Sequence, residues 1–165
     1  MSTLNITTMD EITFRRTMGH FCTGIVVVTA MDGPAPVGFT CQSFISLSLA
    51  PPLVAFAPAL TSRSYPAIRR ARSFCINVLA DSQQDLSAAF ARRDDAKWQG
   101  IKWSPGPTGS PILDGVLAWV DCRLETEFET GDHYLVIGRV VGLEAREGLP
   151  LLYFKGAYAM GTPLP

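Results

Sequence analysis

The sequence predicts a mainly β domain with short helices, an antiparallel barrel and not a doubly wound sheet. Three observations carry this. Between Gly24 and Leu79, β-branched or alternating apolar runs follow one another through short turns, interrupted by one helical segment. From Val116 to Glu129 a period of two is held without a break. Strands and helices do not alternate as βαβ units would require, and no G-x-G-x-x-G opens a helix after a strand.

Along the chain, Thr8 and Glu11 have capping-box spacing, and Phe14 and Met18 fall on one face, so a helix is expected over roughly 9–19. From Gly24, "GIVVVTA" lacks alternation, as a strand buried on both faces does. "DGPAP" is a turn, "VGFTCQSFISLSL" (37–49) is extended, and "LVAFA" after Pro51-Pro52 is another buried strand. Ser64 can cap a helix with Pro66 in its first turn. "SFCINVL" (73–79) returns to strand, and "DSQQDLSAAFARR" is helical, with Asp81 as cap and Leu86, Ala89 and Phe90 on one face. Residues 99–111, rich in Gly and Pro, are expected to be loop. The long strand that follows places Val120, Cys122, Leu124 and Phe128 on its inner face and Trp119, Asp121, Arg123, Glu125 and Glu127 on a wet one. "TGD" turns the chain, 133–145 returns as its partner, and "LLYFKGAY" after Pro150 is a last short strand.

With 165 residues, 47% of them apolar and 18% charged, the chain suits one globular domain, residues 1–165, with a sizeable core. A net charge of −1, with no block of Lys and Arg, argues against a nucleic-acid binder. No apolar stretch reaches the ~18 residues of a membrane span, and the N-terminus lacks a basic segment followed by an apolar one, so a cytoplasmic location is expected. Cys22, Cys41, Cys75 and Cys122 are scattered without a C-x-x-C pair; they are expected to be reduced, buried small hydrophobes, and no metal site is expected.

Three constellations could carry chemistry. Acids are absent from Gly33 to Ala80, where Arg63, Arg69, Arg70 and Arg72 stand. Within that stretch, Ser62, Arg63 and Ser64 precede a helix, which is either a phosphate seat or a capped, solvated helix. "GFTCQSF" (38–44) puts Thr40, Gln42 and Ser43 into an apolar setting; it is either the polar edge of a flat heteroaromatic site or a strand whose hydroxyls bond its neighbours. Asp132 beside His133, after the turn glycine Gly131, either fixes a histidine tautomer or is a plain surface turn. His20 is given no role.

Taken in order, "FRRTMGHFCTGIVVVTA", "GFTCQSFISLSLAPPLVAF", "SRSYPAI", "FCINVL", "SPILDGVLAWVDC", "GDHYLVIGRV" and "LLYFKGAY" make the chain resemble the short-chain flavin reductase family. These are the NAD(P)H:flavin oxidoreductase components of two-component flavin-dependent monooxygenases. The resemblance implies an antiparallel split β-barrel, usually a homodimer with the site near the subunit interface, and a separate oxygenase that receives reduced FMN or FAD. It implies that Val37, Gly38, Phe39, Thr40, Cys41, Gln42 and Ser43 line the isoalloxazine edge and that Ser62, Arg63 and Ser64 hold the flavin phosphate. His133 would meet NADH or NADPH, oriented by Asp132, and Tyr153, Phe154 and Tyr158 would pack against the same ligand. The chain departs from the family pattern at Trp98 and at Phe154-Lys155. The alternatives are a pyridoxamine-phosphate-oxidase-like enzyme and a non-catalytic flavin- or haem-binding barrel.

Overall fold

The computed structural model describes residues 10–162 of the chain. Helix α1 (Glu11–Met18) leads into a short β1 (Thr23–Gly24) and then β2 (Val26–Asp32), whose first five residues are buried. Strand side chains alternate. Val26, Val28 and Ala30 therefore enter one core with Phe56, Phe74 and Ile68, while Val27, with Ile25 before the strand, enters a second core with Leu79, Phe90 and Leu151. Two cores on two faces explain why this run shows no polar alternation. Each fully buried large side chain contributes about 1.5–3 kcal/mol.

After β2 come β3 (Ala35–Cys41), β4 (Ile45–Leu49), β5 (Pro52–Phe56), α2 (Tyr65–Ala71), β6 (Ser73–Val78) and α3 (Gln84–Ala91). A small hairpin of β7 (Trp103–Pro105) and β8 (Pro111–Leu113) precedes the long strands β9 (Ala118–Thr130) and β10 (His133–Ala145), and β11 (Leu151–Phe154) and β12 (Ala157–Met160) end the described chain. The fold is mainly β and antiparallel, as expected, and split-barrel-like. Seven strands form one sheet in the order β3-β2-β6-β9-β10-β5-β4, and three more the sheet β1-β11-β12. Among the described residues the barrel does not close: β3 and β4 are the outer strands of the large sheet.

Several expectations change. Thr8 lies outside the described residues; Asp10 caps α1, its Oδ1 accepting from Thr13 N at 2.8 Å. Nothing on α1 is buried, so Phe14 and Met18 share a face that this chain leaves open. Asp81 opens a 3-10 turn (Asp81–Gln83), capped by Gln83 Oε1 accepting from Ala80 N at 2.9 Å, and the α-helix starts only at Gln84. The Gly/Pro-rich 99–111 segment is not all loop, because Trp103–Pro105 pairs back on Pro111–Leu113. Cys22 is exposed, whereas Cys41, Cys75 and Cys122 are buried, and all four are unbonded.

The alternation of β9 is real, but its covered face is not the expected one throughout. Asp121, assigned to the wet side, is fully buried, and Phe128, assigned to the core, is half exposed. The 105–111 segment lies over the first half of the strand and supplies the polar partners. Asp121 Oδ2 accepts from Thr108 N at 2.6 Å and Oδ1 from Thr108 Oγ1 at 2.7 Å. Burial pushes the Asp121 carboxyl above the usual range, and the Thr108 bonds oppose that rise. Nearby, the buried Asn77 amide nitrogen faces Val27 O, Thr29 Oγ1 and Pro111 O at 3.2, 3.0 and 3.3 Å, and its Oδ1 accepts from Leu113 N at 2.8 Å. Thus the hairpin is fastened to the sheet by satisfied buried polar groups.

Replacing Asn77 with Ala strands the Leu113 N–H in the interior, while the Pro111 carbonyl keeps the Thr29 hydroxyl, which donates to it at 2.5 Å. Stability should fall by about 3 kcal/mol, read as a lower urea midpoint with an unchanged denaturant slope.

Candidate active site

A cavity of about 850 Å³ opens between the end of β3, the turn before α2, the end of α3 and the first residue of β10. Local hydrogen bonding builds its wall. Beyond β5 the chain runs along the tip of the β9–β10 hairpin: Ala59 bridges His133, Leu60 N donates to Asp132 O at 2.9 Å, and Tyr134 N donates to Pro58 O at 2.9 Å. Ser62, Arg63, Ser64 and His133 are thereby gathered on one cavity although 70 positions separate the serine-arginine turn from the histidine.

Ser64 occupies the cap position of α2, but its hydroxyl does not cap the helix. It donates to Gly38 O at 3.0 Å, and Ser62 Oγ accepts from Tyr65 N at 3.2 Å in its place. Gly38 O also accepts from the buried Lys97 Nζ at 3.1 Å. This carbonyl ties β3, the α2 turn and the 3-10 turn Asp95–Trp98 together. The close approach that needs glycine is internal: a Cβ at Gly38 would lie 2.9 Å from Val28 O and 3.0 Å from Phe90 Cε1.

Phe39, Thr40, Cys41, Gln42 and Ser43 line the cavity; Val37 packs against the first core and does not reach it. Much of the polar capacity here is already used within the protein. Thr40 Oγ1 donates to Ser87 O at 2.6 Å, and Ser43 Oγ accepts from Ala57 N at 2.8 Å and donates to Ala57 O at 3.2 Å. Gln42 Oε1 accepts from Thr23 Oγ1 at 3.3 Å. Burial raises the Cys41 thiol pKa, which disfavours a nucleophilic thiolate.

Charge is distributed unevenly. Of the four arginines in the acid-free segment, Arg63 alone lines the cavity. Arg69 pairs with Glu127, Arg70 with Asp32, and Arg72 donates to Leu124 O. Arg92, Arg93 and Lys97 join Arg63 at the cavity, and among the described residues no acid lines it. Arg63 Nη1 donates to Arg93 O at 3.2 Å, bracing that rim. These three additional cations were not singled out from sequence; "ARRDDAKW" mixes both signs on short turns, and periodicity gives no orientation there. A cationic mouth over an apolar floor is a seat for a planar anionic ligand.

His133 Nδ1 lies 2.7 Å from Asp132 Oδ1. The His133 hydrogen bond, and then its charge, hold the Asp132 carboxyl below the usual range. The last expected group stands apart. Tyr153 and Tyr158 pack edge to face at 5.5 Å within the second core, and Tyr158 Oη donates to Ser87 Oγ at 3.1 Å. Tyr153 lines an adjoining cavity of about 840 Å³ that shares Phe14, Gln42 and Ser43 with the first. Phe154 meets His20 edge to face at 6.5 Å. Trp98 packs on Phe90 at 4.8 Å. Among the described residues no group of His, Cys, Asp or Glu is arranged to hold a metal ion.

Residues 18–162 match the family described as "Flavin reductase like domain". The chain is 52% identical over 151 residues to the "Flavin-dependent monooxygenase, reductase subunit HsaB" of Rhodococcus jostii (strain RHA1), covering 91% of this chain and 77% of that protein. It is 40% identical over 145 residues to the "FMN reductase (NADH) SmoA" of Agrobacterium fabrum (strain C58 / ATCC 33970), covering 88% of this chain and 83% of that one. The crystal structure of a nitrilotriacetate monooxygenase component B homologue from Mycobacterium thermoresistibile superposes with a TM-score of 0.90 at 45% identity, over 94% of this chain and 92% of that one.

Gly38→Ala forces the new methyl against Val28 O and the Phe90 ring. The expected cost is about 1–3 kcal/mol, measured as a lower thermal midpoint.

Proposed function

This chain belongs to the flavin reductase like domain family, and from that premise we infer that it is an NADH-dependent flavin reductase, an oxidoreductase that supplies reduced flavin to a separate monooxygenase component. The observation that carries the reading is the convergence of the Ser62–Ser64 turn, the Phe39–Ser43 segment and His133 on one cavity whose charged side chains are cationic. A volume of about 850 Å³ falls within the range usual for cofactor sites.

The residues fit a flavin nucleotide, FMN or FAD. Arg63, with Ser62 and with Lys97 and Arg93 across the cavity, holds the phosphate through charge-assisted bonds. Phe39 gives the ring an apolar face, and Gln42 and Ser43 stand at its polar edge. With Asp132 ionised, His133 keeps its proton on Nδ1 and turns Nε2 away from that carboxylate, where it meets the nicotinamide. When bound, the pair would supply hydride transfer from nicotinamide C4 to flavin N5, and the residues lining the cavity would contribute mainly by positioning the two. Tyr153, in the adjoining cavity, extends the apolar surface available to the nicotinamide nucleotide, with Phe154 and Tyr158 behind it.

The working form is a homodimer with the site near its interface. Ile12, Phe14 and Met18 on α1, with Ile45, Leu47 and Leu49 on β4, expose apolar surface that a second copy would cover, and Phe14 also lines both cavities. A reducing, cytoplasmic setting suits four unbonded cysteines.

Rapid mixing of the purified chain with FMN or FAD and NADH tests the reading: flavin absorbance should bleach under anaerobic conditions, whereas a non-catalytic carrier stays yellow. Arg63→Gln should raise KM for FMN by about tenfold and leave riboflavin, which lacks the phosphate, unaffected. His133→Ala should raise KM for NADH by about tenfold and spare flavin affinity; full NADH oxidation at low NADH would remove the histidine from this role.

A further inference from the structure

Behind the wall that carries Ser62–Ser64 and His133, four side chains from three elements meet. Tyr65, the first residue of α2, is buried, and its hydroxyl donates to Glu127 Oε2 on β9. Arg69, one helical turn on, brings Nε to 2.7 Å from Glu127 Oε1, at ion-pair distance but without the angle of a hydrogen bond. Its guanidinium stands 4.5 Å from the centroid of the Tyr134 ring on β10 and 5.3 Å from that of Tyr65, and the two rings are 5.2 Å apart.

The placement of these residues gives the cluster a function. Tyr65 directly follows Ser64, and Tyr134 directly follows His133. Successive side chains of a strand point to opposite faces, so Tyr134 faces α2 from the side of β10 that His133 leaves. On β9, Glu127 pairs with Val136, two residues beyond Tyr134 and on the same face. The backbone bonds Leu60 N to Asp132 O and Tyr134 N to Pro58 O strap the turn to the hairpin tip, and the four side chains grip the same two pieces again. Arg69 and Glu127 are both partly exposed, where an ion pair adds little to stability. What the cluster fixes is geometry.

We propose that Tyr65, Arg69, Glu127 and Tyr134 are positioning residues that hold the Ser62–Arg63–Ser64 turn and His133 at one separation, so that the phosphate end of the flavin and the nicotinamide are aligned by a single clamp. The inference rests on the reductase reading. Small displacements of reacting groups lower rates far more than they lower affinity, so loosening the clamp acts on kcat and, through His133, on the use of NADH.

Glu127→Gln, Arg69→Met and Tyr65→Phe (which keeps the buried ring) test the proposal. Flavin affinity by fluorescence, kcat, KM for NADH and the thermal midpoint are measured for each, alone and combined with His133→Ala. The expected result is a fall in kcat and a rise in KM for NADH, each of about tenfold, with a nearly unchanged midpoint, and no further rise in KM for NADH when the variants are added to His133→Ala. Wild-type kinetics in all three, additive rises in KM for NADH in the combined variants, or unfolding of all three would overturn the clamp while leaving the reductase reading intact. Absence of flavin-dependent NADH oxidation in the wild-type chain would overturn both.

Discussion

Thirteen residues of β9 and thirteen of β10 run side by side, from Ala118 opposite Ala145 to Thr130 opposite His133, and both outer edges of this ribbon are used. β6 pairs along β9, and β5 along β10. Every other strand of the large sheet is attached through one of these two edges. The ribbon also projects its tip beyond β5, where the chain that leads to α2 is strapped to it. The cavity is a consequence of that overhang. Register irregularities at Gly138 and Gly142 bend the ribbon, and Gly138 has no room for a side chain, because a Cβ would meet the Phe74 ring at 2.3 Å.

Electrostatics follow from the same construction. An acid-free, arginine-bearing segment looks from its composition like an anion site as a whole, yet three of its arginines are engaged elsewhere, by Glu127, Asp32 and a backbone carbonyl. The cavity regains charge from Arg92, Arg93 and Lys97, which arrive on the opposite rim. The cationic lining therefore depends on segments roughly 30 residues apart meeting across the cavity, with the Gly38 carbonyl as their shared anchor.

The family resemblance concentrates its motifs where tertiary demands are severe as well as where ligand would bind. Gly38 is needed by Phe90, Thr40 by Ser87, and Ser64 by Gly38 itself. Their place in a motif does not by itself separate ligand contact from scaffold. Tyr153, Phe154 and Tyr158 come from one short motif but do not share one surrounding: Tyr153 and Tyr158 are cross-strand partners that pack together against the second core, while Phe154, one residue on, faces the other way and meets His20.

Strand and helix existence was legible in the sequence because it is governed by local periodicity and turn chemistry: the double-sided burial of β2, the long β9–β10 hairpin and the turn at Gly131 all follow from neighbouring residues. The gathering of Phe39–Ser43, Ser62–Ser64 and His133 was legible only through the resemblance of ordered motifs, since nothing local links positions so far apart. Which face of β9 is wet, why Asp121 is buried, where Lys97 points and which arginine stays at the cavity were decided by tertiary structure alone. Each depends on what another segment lays over the residue, and a period of two names two faces without saying which one will be covered.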